Sequence, residues 1–309
     1  MRAETPSAVP LAWGFSGLTV AVFALIVLGA LVRANGAGLA CPDWPLCFGQ
    51  LVPRFDMRVA FEWSHRALAG LISIGLLALS LGLWRRRELL ARVSRALGIA
   101  WLLLGVQVVL GGLTVLLMLS PWTVTAHLLT GTAFCVALLW IARDLFEPPP
   151  TAADPGPDSG YALAAALATA VVVVLQFLLG GWVSSHGAGL ACASFPLCDG
   201  VSFAPRFDGM VGIQVLHRLN GVAVAICFAA LMYATRALPR ARWLVWTGLR
   251  LVIFQIALGG LNVLLQLPPE LTGLHTALGA AIALLTALVV RDLWPARWAG
   301  AAQPVLDPR

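Results

Sequence analysis

Lysine is absent from this 309-residue chain, and charged residues of every kind make up only 11% of it. A soluble domain is about one-quarter charged, so this scarcity excludes an ordinary cytosolic protein and a disordered one. The 20 basic residues are all arginine and give a net charge of +6. They fall mostly in short loops between apolar runs and form no basic face, which excludes a nucleic-acid partner. What the chain has in abundance is apolar surface: 60% hydrophobic residues and a mean hydropathy of +0.89. This is the composition of a polytopic membrane protein, whose solvent is the lipid bilayer.

Eight apolar runs are long enough to cross a bilayer, at roughly 11–33, 62–83, 97–119, 123–142, 161–183, 212–233, 244–266 and 271–290. Uninterrupted runs of this length without alternation are helices, so the fold class is all-α. Thirteen arginines fall on one side: Arg2, the groups around Arg85–Arg95 and Arg236–Arg242, Arg143, Arg291, Arg297 and Arg309. Four fall on the other, namely Arg33, Arg54, Arg58 and Arg206. The positive-inside rule then places both termini in the cytoplasm and the long loops 34–61 and 184–211 outside. The first run exceeds the core of a signal peptide and is expected to be retained, in a bacterial plasma (inner) membrane.

The chain is written twice. GAGLAC at 36–41 recurs at 187–192 and PLC at 45–47 recurs at 196–198, at an offset of 151. His65-Arg66 recurs as His217-Arg218 at an offset of 152, and QVVLGGLTVLL at 107–117 answers QIALGGLNVLL at 255–265 at 148. Four spans per repeat give the halves the same orientation, which disfavours an inverted-repeat transporter. The expected organisation is an N-terminal four-helix bundle (1–146), a Pro-rich cytoplasmic linker (147–160) and a C-terminal four-helix bundle (161–309).

Four of the five histidines form a repeated set, His65, His127, His217 and His275, each a few residues into a helix from the outer surface. Polar groups are expensive there, and two imidazoles from facing helices of one bundle are what a six-coordinate haem iron takes. Zinc is the competing metal, with an incomplete shell unless another ligand joins. Gly111-Gly112 and Gly259-Gly260 allow close approach of a ring or of a helix. Arg66 and Arg218 are candidates to pair with haem propionates, against simple snorkelling to the interface.

The halves differ at one telling place. Glu62 stands three residues before His65, and Gln214 stands three residues before His217. Positions i and i+3 share a helix face, so Glu62 points toward whatever His65 binds, where a carboxyl can give or take a proton. In the outer loops Cys41, Cys47, Cys192 and Cys198 suit two disulfides, with a four-Cys zinc site as the alternative. Cys135 and Cys227 read as inert residues within helices, His186 as a loop residue, and Trp44, Phe48, Phe55, Phe195, Phe203 and Phe207 as lids over the bundles or interfacial anchors.

Taken together, GLACPDWPLC at 38–47, EWSHR at 62–66, AHLLTG at 126–131, GLACASFPLC at 189–198, VLHRLNG at 215–221 and LHTALG at 274–279 resemble haem A synthase over nearly the whole chain. The resemblance implies oxidation of a ring methyl of haem O to a formyl group by successive hydroxylations. It implies a haem b cofactor on His217 and His275, substrate haem between His65 and His127, and an essential Glu62. It matches the loop cysteines to the family's disulfide positions. Haem O synthase and an electron acceptor such as a quinone are the expected partners. Two other readings compete: a bis-His dihaem electron-transfer cytochrome, and a quinone-linked thiol oxidoreductase.

Overall fold

A computed structural model describes residues 8–54, 56–147, 159–203 and 205–294. Arg2, Phe55, Arg297, Arg309 and most of the 147–160 linker lie outside them. All eight expected spans are helices: α1 (Val9–Ala34), α2 (Met57–Trp84), α3 (Arg87–Leu116), α4 (Pro121–Phe146), α5 (Ser159–Ser185), α6 (Gly209–Ala234), α7 (Pro239–Leu264) and α8 (Pro269–Leu293). Each is long and apolar enough to cross a membrane. Among the described residues there is no strand. Proline opens α4, α7 and α8 at the position where its missing N–H leaves no bond unmade. Asp56 caps α2, its carboxylate accepting the Val59 N–H at 2.9 Å.

The helices run past the apolar segments that announce them, most of all at α3, which begins at Arg87 and not near residue 97. Hydropathy registers only the lipid-embedded part, while Arg, Glu and Leu keep the polar extension helical. Arg92 and Arg95 therefore ride on α3 instead of lying in a loop. Arg92 covers the end of α4 by donating to the backbone carbonyls of Asp144 and Glu147.

Two apolar clusters fill the interior. One joins Phe15, Ile72, Leu76, Leu97, Phe134 and Leu138 of α1–α4, and the other joins Val173, Val224, Phe228, Val245, Val252 and Ile282 of α5–α8. Lipid gives helices no hydrophobic reason to associate, so contacts between the halves rely on small residues and polar ties. At Gly181 of α5 a Cβ would stand 2.8 Å from Thr125 of α4, and at Gly273 of α8 one would stand 2.9 Å from Leu31 of α1. Gly273 and Thr125 are counterparts in the repeat, so the α4–α5 and α8–α1 contacts match. Arg33 of α1 donates to the hydroxyl and carbonyl of Ser184, its own counterpart on α5.

At the opposite end, Arg291 of α8 is only 4% exposed and pairs with Asp144 of α4, with Glu147 just beyond that helix and with Asp292. Trp140 adds a second tie between the same helices, donating Nε1–H to the Ala287 carbonyl at 3.2 Å. A buried charge stripped of its partner is far costlier than a missing pair. The double variant Asp144→Asn/Glu147→Gln strips the buried Arg291 of two carboxylate partners and is thus expected to lower stability by about 3 kcal/mol, read as a lower thermal midpoint in detergent, with Arg291→Met restoring part of the loss when combined with it.

Candidate functional site

The four repeated histidines sit on α2, α4, α6 and α8. His65 and His217 are each the ninth residue of their helix, and His127 and His275 each the seventh. At 1.5 Å per residue they lie about 9 to 12 Å along the axis from the loop end. His65 of α2 and His127 of α4 belong to the helices packed around the first apolar cluster, and His217 of α6 and His275 of α8 to those packed around the second. One pair thus forms in each half.

Every ring is seated against a glycine of a neighbouring helix. A Cβ at Gly29 would stand 3.1 Å from Cε1 of His65, at Gly111 3.5 Å from that of His127, at Gly180 3.0 Å from that of His217 and at Gly259 3.0 Å from that of His275. At Gly29, Gly180 and Gly259 a side chain would crowd the imidazole, whereas at Gly111 it would meet it in ordinary contact. Gly29 and Gly180 escaped the sequence reading, although they match at the 151-residue offset. The second glycine of each Gly-Gly pair receives a loop aromatic: a Cβ at Gly112 would stand 3.2 Å from the Trp44 ring and one at Gly260 2.6 Å from the Phe195 ring. Trp44 and Phe195 therefore lie against α3 and α7 next to the glycines that face His127 and His275, with Trp44 still 39% exposed.

Three glutamines, also missed, tie down the histidine-bearing helices. Gln107 of α3 donates to the carbonyl of His127 at 3.1 Å, Gln255 of α7 to that of His275 at 2.8 Å, and Gln176 of α5 to that of His217 at 3.2 Å. The first two stand in the repeated QVVLGG and QIALGG strings, which was the available signal. The Nδ1 atoms of His65, His127 and His275 are buried without a partner, whereas no Nε2 of the four rings is sealed in this way. Rings whose Nε2 atoms are not sealed, two in each half, can serve as an iron ligand set.

Arg66 and Arg218 turn toward the long loops that precede α2 and α6. Arg66 donates to the carbonyls of Asp43 at 2.7 Å, Leu46 at 2.6 Å and Cys41 at 3.2 Å, and to Glu62 Oε1 at 2.5 Å. Arg218 donates to the carbonyls of Cys192 at 2.9 Å and Leu197 at 3.3 Å, and lies over the Phe195 ring. Each guanidinium fills a ring of chain closed by a disulfide, Cys41–Cys47 or Cys192–Cys198. The four loop cysteines are spent in these bridges, which removes the four-Cys zinc alternative. Asp43 and Asp199 finish the two loops. The backbone N–H groups of Gly49 and Phe48 hold the Asp43 carboxyl below the ordinary carboxylate value, and those of Ser202 and Val201 do the same for Asp199.

Glu62 is 5% exposed, and both its oxygens accept hydrogen bonds, Oε1 from Arg66 and Oε2 from the Cys41 N–H at 2.8 Å. Gln214, its counterpart, donates instead to the Gly189 carbonyl at 3.1 Å and leaves its Oε1 buried without a partner. The same place in the fold is an anchored carboxylate in one half and a neutral amide in the other.

The family described as "Cytochrome oxidase assembly protein" (COX15-CtaA) matches residues 12–60 and 54–289. Heme A synthase of Shewanella oneidensis is 30% identical over 92% of this chain and 97% of its own length. Heme A synthase of Symbiobacterium thermophilum is 32% identical over 84% of this chain and 87% of its own, and that of Geobacillus kaustophilus 31% over 83% of each. The chain belongs to the haem A synthase family. Family membership makes a haem-related ligand the group to test against the paired rings, and the open Nε2 atoms and glycine seats fit it.

Of the remaining residues, Cys135 and Cys227 are free thiols in α4 and α6. His186 lies exposed just beyond α5, bonded through Nδ1 to the Trp182 carbonyl at 3.0 Å and resting on the Trp182 ring. It finishes a helix end and stands apart from the four paired rings.

The arginine-filled loops yield a direct expectation. Arg66→Ala removes charge-assisted bonds worth about 1.5–3 kcal/mol each, so Cys41–Cys47 should be reduced by a soluble phosphine at least about tenfold faster. Cys192–Cys198 should keep its parent rate, with thiol labelling and peptide mapping reporting each bridge.

Proposed function

We propose that this chain oxidises a ring methyl of haem O to a formyl group by successive hydroxylations, giving haem A for terminal oxidases. One observation carries the assignment of roles: two matched histidine pairs differ in whether a carboxylate or an amide stands beside them. The N-terminal bundle, with His65 and His127, is the substrate haem site. The C-terminal bundle, with His217 and His275, holds haem b. Bound there, haem b supplies one-electron transfer at a potential set by its axial ligands and their surroundings.

Glu62 is the catalytic residue. It lies one helical turn before His65, and its anchoring by Arg66 and the Cys41 N–H fixes its direction while leaving carboxylate lone pairs free. A carboxylate so held accepts the proton released as the methyl group is oxidised. Gln214 has no such capacity, so proton uptake is confined to one bundle. The Trp44 and Phe195 rings, resting on Gly112 and Gly260, cover part of the loop end of each bundle. Arg66 and Arg218 act through the loops they fill, and any propionate contact comes from donors those carbonyls leave unused.

In this account both termini are cytoplasmic and the haem sites lie toward the outer face of a bacterial plasma membrane. The arginine distribution supports this. The matched α4–α5 and α8–α1 contacts, and the meeting of Arg33 with its own counterpart Ser184, support two bundles related by a two-fold axis along the membrane normal. Haem O synthase delivers the substrate, and a quinone is the class of acceptor that removes electrons within the bilayer.

Two variants test the assignment. Glu62→Gln is expected to bind haem as the parent does but to lose roughly 100-fold or more in conversion, leaving haem O or a hydroxylated intermediate in extracted membranes. A parent-like haem A yield would remove Glu62 from the mechanism. His217→Ala or His275→Ala is expected to abolish the low-spin haem b spectrum, and loss of that spectrum with His65→Ala alone would mean the two sites are reversed.

A further inference from the structure

At the end of the helices opposite the histidines, the turn from α6 into α7 and the opening turns of α7 enclose an open recess of about 510 Å³. Its walls carry the guanidiniums of Arg236, Arg242 and Arg250, together with Trp243, Trp246 and Thr247. The α7 residues among them recur at three- and four-residue steps and so share one helix face. Among the described residues no carboxylate lines the recess, and none pairs with any of these arginines. The chain offers none close by, since 209–269 holds no Asp or Glu. What two of the guanidiniums touch is aromatic: Arg250 lies over the Trp246 ring at 5.7 Å and Arg236 over the Tyr233 ring at 4.2 Å.

Arg250 is the costly member. The apolar span of α7 begins at Ala241, which puts Arg250 nine residues, about 14 Å, into it. Its side chain is exposed there, on a helix whose surroundings are lipid. A charge at that depth is rare and needs a partner. The first bundle does without one. At the 148-residue offset that matches Gln107 to Gln255, Arg250 corresponds to Leu102, which is 67% exposed, and Trp246 corresponds to Gly98. The same place in the fold is an ordinary lipid-facing leucine in one half and an arginine in the other, so packing does not require the cation. Snorkelling would carry one arginine toward the interface, but it calls for neither a recess nor further cations lining it.

We propose that this recess binds the headgroup of an anionic phospholipid, its phosphate held by Arg242 and Arg250 and its glycerol and upper acyl chains lying along Trp243 and Trp246. Guanidinium forks bind phosphate through paired N–H donors, and basic pockets at the cytoplasmic ends of spanning helices take acidic headgroups. Tryptophan suits the boundary between headgroup and hydrocarbon, and Thr247 adds a hydroxyl donor. A lipid is favoured over a soluble phosphate by the position of Arg250. It stands on an exposed face within the apolar span, where a molecule of the bilayer supplies the negative charge and the hydrocarbon together. The recess lies at the other end of the helices from the histidine pairs, so the proposal does not depend on what those rings bind.

The test is native mass spectrometry of the delipidated full-length protein, titrated in detergent with phosphatidylglycerol, with phosphatidylcholine and with inorganic phosphate. The parent is expected to hold a phosphatidylglycerol at least about tenfold more tightly than phosphatidylcholine, and millimolar phosphate is expected to leave it bound. Arg250→Leu, which installs the residue of the first bundle, should weaken phosphatidylglycerol about fivefold, and Arg242→Gln/Arg250→Leu about 25-fold. Arg242→Gln alone changes an exposed position and should weaken it about fivefold, which keeps the test sound if Arg250→Leu fails to fold. Arg85→Gln removes an exposed cation from the same end of the first bundle and should change nothing. Equal retention of the two lipids would leave plain snorkelling, and an equal loss with Arg85→Gln would leave a diffuse surface charge. Displacement by inorganic phosphate would mark a site for a soluble phosphate. Each of these three results overturns the proposal.

Discussion

An imidazole inside an apolar helix bundle must be given space and its helix must be given polar support, and most of the specific features of this protein follow from that requirement. Space comes from glycine: Gly29, Gly111, Gly180 and Gly259 each face one histidine ring across a helix contact. Support comes from glutamine, with Gln107, Gln176 and Gln255 each bonding the carbonyl of a histidine on the next helix. These residues sit in spans whose remaining positions are almost wholly apolar, so their presence is informative in a way that a glycine or glutamine of a soluble protein is not.

The loop end obeys a second economy. A guanidinium close to a membrane interface needs acceptors, and a short disulfide-closed loop has carbonyls that need donors. Arg66 and Arg218 satisfy both demands at once. In the first half the same arginine also grips Glu62, so the carboxylate assigned to chemistry is built into the loop that covers it. In the second half the amide of Gln214 reverses the direction of its bond and reaches a carbonyl instead of an N–H. A single exchange of oxygen for nitrogen thereby replaces an anchored carboxylate by a neutral amide without disturbing the fold the halves share.

Much of this was legible in the sequence. Eight apolar runs gave eight helices, and the fourfold set of histidines and the Glu62–Gln214 difference could be read from the repeat. Helix ends were less legible, because α3 extends through Arg87–Arg95, where helical propensity persists after hydropathy has ended. The destinations of Arg66 and Arg218 were not legible, since chain spacing alone does not distinguish a loop carbonyl from a ligand carboxylate. Gln176 was hidden for a related reason. Its counterpart Leu25 breaks the repeat, and its bond to the His217 carbonyl emerges only when α5 and α6 are brought side by side.

The central claim is that two similar histidine pairs serve unequal haems, one resident and one in transit. Mass analysis and pyridine haemochrome spectra of the haem extracted from protein co-expressed with haem O synthase test it most directly. The account predicts haem b together with haem O, its hydroxylated intermediate or haem A in the same preparation. Haem b alone, from a protein whose host gains no haem A, would contradict it and leave an electron-transfer cytochrome in its place.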